Sequence, residues 1–111
     1  MNSNAKGKRM EREAAAALRL ALGVDARRAQ QFAGTNGDAD LITELDGVHF
    51  ECKSRKTIGA LRFFEQAADD ADAAGSGAIP TVLLREDGDT DWYVLLRLAD
   101  ARAFAAKVGA V

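Results

Sequence analysis

The chain has 111 residues, enough for one domain spanning 1–111, since domains commonly run to ~100–150 residues. Its 48% hydrophobic and 29% charged residues sit near globular averages, which excludes collagenous, low-complexity and globally disordered chains. Net charge is only −2, yet residues 1–62 carry +3 (eleven bases, eight acids) and residues 63–111 carry −5 (four bases, nine acids), and a molecule so divided can present one basic face to a polyanion.

Residues 1–5 carry no pattern and are expected to be disordered. An Ala- and Leu-rich helix is predicted from Gly7 to Leu22, stopped by Gly23. Its Arg9, Arg12, Ala16 and Arg19 share the solvent side, while Glu11 leads an apolar stripe of Ala15, Leu18 and Leu22. A short strand is expected over Arg27–Phe32, then the loop Gly34-Thr35-Asn36-Gly37. Ala39–Leu45 and Val48–Ser54 read as strands joined by Asp46-Gly47, a hairpin signature in which both central residues take positive φ. A second helix is predicted over Ile58–Ala74, with Leu61, Phe64, Ala68 and Ala71 inward and Arg62, Glu65, Asp69 and Asp72 outward. Two more strands, Ile79–Arg85 and Trp92–Leu98, flank the turn Glu86-Asp87-Gly88-Asp89, with Trp92 and Tyr93 assigned to core packing, and a last helix covers Ala99–Val108. The fold class is therefore α/β in the order α-β-β-β-α-β-β-α, a mixed central sheet flanked by helices.

The single cysteine, Cys52, excludes an intrachain disulfide framework and any multi-cysteine zinc site. The apolar run Ala14–Leu18 falls far short of the ~20 residues that span a bilayer, and no signal-peptide stretch follows the first residues. The expectation is a soluble protein of the cytoplasm of a bacterial, archaeal or phage-infected cell, with no membrane partner.

Chemistry concentrates in a few positions. Residues two apart on a strand share a face, so His49, Glu51 and Lys53 point one way while Phe50 and Cys52 point into the core. The Asp-Gly turn folds the strand opened by Asp40 against the one carrying Glu51, gathering two carboxylates and an ammonium. Clustered carboxylates repel unless a hard divalent cation neutralises them, and Mg2+ (Mn2+ as a substitute) accepts two or three such oxygens at ~2.1 Å. Each piece alone has an ordinary structural role: a cross-strand charge pair for Glu51 and Lys53, turn chemistry for Asp38 and Asp40, dipole compensation for Glu11.

Their joint order resembles the PD-(D/E)XK nuclease superfamily, whose restriction-endonuclease-like core runs α-β-β-β-α-β, and within it archaeal and phage Holliday-junction-resolvase-like endonucleases. Lys6-Gly7-Lys8-Arg9-Met10-Glu11-Arg12-Glu13 is similar to the resolvases' Lys-Gly-x-x-x-Glu-Arg-Glu opening, in which the first Glu belongs to the active site. Gly37-Asp38-Ala39-Asp40-Leu41-Ile42 resembles the segment in which the motif Asp precedes two apolar strand residues, which selects Asp40; Ala39 stands where the superfamily's name has Pro. His49-Phe50-Glu51-Cys52-Lys53 is similar to the phage variant His-x-Glu-Cys-Lys, and Glu65-Gln66-Ala67 with Asp70 to a Gln-Ala...Asp-Ala pattern on the next helix. Ile79-Pro80 with Arg85, then Trp92, resembles the closing strand pair of the phage members, so the similarity runs from Lys6 to Phe104.

The resemblance implies an Mg2+-dependent endodeoxyribonuclease, a homodimer acting on branched DNA. Asp40 and Glu51 would bind metal with the Cys52 carbonyl as a further oxygen, and Glu11 would support a second metal or a bridging water. Lys53 would assist the attacking water; Gln66 either reaches the metal-bound water or is a helix-face amide. Lys6, Lys8, Arg9, Arg12, Arg27, Arg28, Arg55 and Lys56 would hold phosphates. The rival expectations are a non-catalytic DNA-binding module on the same fold and a structural domain whose acids are surface charges.

Overall fold

The computed structural model describes residues 3–29 and 39–111. The loop Gly34–Gly37, Asp38 and the outer part of the first expected strand, Gln30–Phe32, lie outside the described residues.

Helix α1 spans Ser3–Leu22, so the disorder expected over residues 1–5 does not hold from Ser3 onward. Nothing between Ser3 and Lys6 breaks a helix, one interior glycine costs only ~1 kcal/mol relative to Ala, and Lys6 pairs with Asp87 at 3.2 Å. The helix ends as predicted: Gly23 takes φ +67° and its N–H donates to the Arg19 carbonyl at 2.9 Å. Ala14, Ala15 and Leu18 are buried, and Arg9, Arg12, Ala16 and Arg19 face solvent.

Strand β1 (Ala26–Arg28) pairs antiparallel with β2 (Leu41–Thr43), Arg27 opposite Ile42. Strand β3 (Val48–Arg55) runs parallel to β4 (Ile79–Glu86), Glu51 opposite Val82, and β4 is antiparallel to β5 (Tyr93–Leu95). The mixed sheet is thus β3-β4-β5, and β1-β2 forms a separate pair among the described residues. Here the expected hairpin needs correction. Gly47 alone has positive φ, +81°, and Asp46 does not, so the turn Leu45–Val48, closed by Val48 N–H to the Leu45 carbonyl at 3.3 Å, is not the doubly positive type. Such turns splay their strands. β2 therefore touches β3 at its start, where the Asp40 N–H donates to the Phe50 carbonyl at 2.9 Å, and then turns to β1.

The crossover between the parallel strands is α2 (Ala60–Ala74), closed by Gly75 in the left-handed conformation. Its buried face is Ala67, Ala68 and Ala71, with Phe64 half-buried. Leu61, expected inward, is 74% exposed: it sits in the first turn, beyond the reach of the sheet, and Ala67 takes the central place. The last strand is shorter than Trp92–Leu98, because Leu98–Asp100 forms a single 3-10 turn that leads into α3 (Ala101–Gly109). Trp92 packs against the core, whereas Tyr93 is 58% exposed, since β5 is an edge strand with only one covered face.

The core joins Ala14, Ala15 and Leu18 of α1 to Leu41, Phe50, Cys52 and Leu83, and Phe104 of α3 meets Phe50 edge-on with ring centroids 6.4 Å apart. The far end of α1 is tied to the sheet by polar contacts. Arg85 of β4 donates to Ser54 Oγ at 3.1 Å and to Glu13, lies 4.3 Å over the Trp92 ring, and Ser54 donates to Asp87 at 2.8 Å. These contacts fix α1 across the sheet, and so the position of Glu11.

Candidate active site

Alternation along β3 decides which side chains can meet. Phe50 and Cys52 are 0% and 2% exposed in the core, and His49 and Glu51 occupy the opposite face, as predicted, but are themselves 5% and 4% exposed. His49 Nε2 lies 2.9 Å from Glu51 Oε1. Three segments converge on Glu51 of β3 or on its neighbour Asp40. Asp40 comes from the start of β2, Asp70 from α2, and both hydrogen-bond the Glu51 carboxyl, while Glu11 of α1 is close enough to Asp40 to feel its charge.

Burial and the adjacent Asp40 and Asp70 push the Glu51 carboxyl up to about 10 from its ordinary 4.5, so that in the metal-free protein it holds a proton at neutral pH and donates it to those carboxylates. Glu11 is raised too, by burial first and by Asp40 second, with Arg28, 3.0 Å away, pulling it back. Burial, with Asp40 next in weight, likewise pushes the Cys52 thiol up, which keeps it an inert core group.

Backbone geometry adds an oxygen. Cys52 N–H donates to Asp40 Oδ2 at 2.7 Å, and the Phe50 carbonyl accepts from Asp40 N–H. Residues two apart on a strand direct their backbone groups to one edge, so the Cys52 carbonyl leaves β3 on the Asp40 side. The donor set of Asp40, Glu51 and that carbonyl is all oxygen, which fits a hard divalent cation. Lys53 follows on the same face as Glu51, half-buried, with its ammonium 5.9 Å from the Phe63 ring centroid. Among the described residues no carboxylate lies within ion-pair distance of it.

Glu11, Asp40 and Glu51 are thus brought together, and Lys53 adjoins them. Gln66 is exposed, and the α2 residue that reaches the cluster is Asp70, one turn on. Sequence reasoning gave Asp70 no place in the site; the available signal was its position between Ala67 and Ala71, an acid at the rim of the buried stripe. Of the phosphate-binding candidates, Lys8, Arg9, Arg12, Arg27, Arg55 and Lys56 are exposed. Lys6 is engaged with Asp87 and Arg28 with Glu11. Arg12, Arg27 and Arg28 instead share a surface hollow of about 460 Å³ with Ala15 and Arg19, a cation the sequence reading left out.

This architecture is a resolvase-like nuclease fold. The chain is similar to the solved structure of Hjc from Archaeoglobus fulgidus, a Holliday junction resolvase from an archaeal hyperthermophile, with a TM-score of 0.54 and 25% identity over 82% of this chain and 72% of that one. No protein-family model matches the sequence, and no curated protein matches it. Among the described residues no helix is long and apolar enough to cross a membrane.

Proposed function

We propose that the protein is a divalent-metal-dependent endonuclease that cuts branched DNA as a homodimer, in the cytoplasm where that substrate lies. The observation that carries this reading is a buried glutamate, Glu51, pressed against the carboxylates of Asp40 and Asp70, on a resolvase-like fold. Such a cluster is stable at neutral pH only with protons or a cation in it.

Asp40, Glu51 and the Cys52 carbonyl would hold Mg2+ or Mn2+, and Glu11 would orient a water at the edge of the same site. The bound ion would neutralise charge on the phosphodiester and lower the pKa of a water. Lys53 has a role of its own. Its ammonium, seated beside Phe63 with no carboxylate in ion-pair distance among the described residues, would orient the attacking water and stabilise the extra negative charge of the transition state. Arg28 holds Glu11 in place as an ion pair, so its guanidinium serves the site before it serves DNA. Two sites related by a two-fold axis would match the two equivalent strands of a four-way junction.

The test is cleavage of labelled four-way, flap and linear DNA in Mg2+ by the wild type, Glu51→Ala and Lys53→Ala, alongside calorimetric titration of Mg2+ or Mn2+. Each variant should lose nicking by ~10²-fold or more while keeping its fold and most of its DNA affinity. Full cleavage by either variant overturns the assigned roles. Absence of metal uptake with DNA binding retained points instead to a binding module.

A further inference from the structure

The Asp40 side of Glu51 is only half of its surroundings. On the α2 side, His49 Nε2, a Glu51 carboxylate oxygen and an Asp70 carboxylate oxygen all lie within 4.8 Å of one another. Asp40 is not part of that group. We propose that His49, Glu51 and Asp70 form a second cation subsite, selective for a transition metal such as Zn2+ or Co2+ over Mg2+, and sharing Glu51 with the ion of the cleavage site.

Three observations carry the inference. The first is spacing. An octahedral ion with bonds of ~2.1 Å holds adjacent ligand atoms ~3.0 Å apart, and His49 Nε2 already stands 2.9 Å from Glu51 Oε1, so only Asp70 needs to close in. It sits on a long helix with a rotatable side chain. The second is donor chemistry. Mg2+ takes oxygen almost exclusively, whereas imidazole nitrogen suits Zn2+ and its transition-metal neighbours, so the presence of His49 sets the metal class. The third is access. His49 and Glu51 are buried, but Asp70 is only half-buried, which leaves an entry path from the α2 side.

The subsite extends the cleavage reading, with which it shares Glu51, and its test needs no DNA. His49 is the sole histidine of the chain, so its ring nitrogens are assignable without ambiguity in tag-free protein labelled with 15N-histidine. Zn2+ titrated alone should displace the Nε2 resonance until saturation, while Mg2+ at equal concentration leaves it in place. Asp70→Asn should weaken the Zn2+ response by ~10-fold or more, and Asp40→Asn should retain it. Saturation by Zn2+ in calorimetry with Nε2 unmoved overturns the subsite and leaves the nuclease reading standing. An Nε2 shift in a protein that cuts no DNA retains the subsite and removes the nuclease. Asp70 is half-exposed, so its variant should fold, and circular dichroism verifies that; the wild-type shift decides the matter even if it does not.

Discussion

Glu51 carries more of the molecule's behaviour than any other single residue. Its carboxyl is held well above its ordinary 4.5 in the folded state, chiefly by burial and then by Asp40, so the folded chain keeps a proton that the unfolded chain has lost at neutral pH. A carboxyl shifted upward contributes stability that is complete below the unfolded value and fades as pH climbs toward the folded one. The metal-free protein should therefore weaken between pH 5 and 8 by up to ~1.4 kcal/mol per pH unit, read by urea unfolding. Glu11, shifted the same way, adds in the same direction. Glu51→Gln should flatten that slope and unfold later than the wild type at pH 8, and millimolar Mn2+ should recover the wild type at pH 8 by binding only the folded state. An unchanged slope in the Gln variant would show that another group titrates.

At the scale of elements, the site depends on how the turn Leu45–Val48 hands the chain from β2 to β3. Gly47 takes φ +81°, and its carbonyl also accepts from Ile79 N–H at 2.7 Å, so one residue sets both the turn and the entry of β4. Gly47→Ala should cost ~1–2 kcal/mol in unfolding free energy from the left-handed backbone alone. The added Cβ would meet only the flexible end of Lys107, 2.9 Å away, which can move aside. Gly47→Asn should recover part of that loss, since Asn tolerates this region. The face of each β3 side chain was legible in the sequence because a strand has period two: Phe50 and Cys52 inside, His49, Glu51 and Lys53 opposite. Helix ends marked by Gly23 and Gly75 were legible for the same local reason. The partner of β2 was not, because the pairing depends on the twist of a turn rather than on its composition. Nor was the exposure of Leu61, which depends on where the sheet stops beneath α2. Asp70 escaped because only the rotation of α2 about three small alanines brings it toward Glu51.

For the whole molecule, the uneven charge resolves into cations that are engaged and cations that are free. Lys6 and Arg28 are bound to Asp87 and Glu11, so they bring little net positive charge to a polyanion. Arg12 and Arg27 are exposed and line one hollow with Arg19, whose guanidinium donates to the Ala26 carbonyl at 2.6 Å and is thereby held in place. A fixed group of cations beside a carboxylate cluster can hold the backbone of one DNA strand while the cluster approaches the next phosphate. Removing a cation that contacts phosphate lowers the slope of log affinity against log salt by ~1. Arg12→Ala and Arg27→Ala should each show that loss on junction DNA, weakening binding equally for all sequences. Lys6→Ala should leave the slope unchanged and act on stability instead, by untying the start of α1 from Asp87. Arg28→Ala should separate the two effects within one variant: its salt slope changes little, while Glu11 loses the cation that opposes its upward shift and nicking falls. Equal slopes in the Arg12, Arg27 and wild-type proteins would move the DNA path off this hollow, toward the exposed Arg55 and Lys56 at the end of β3.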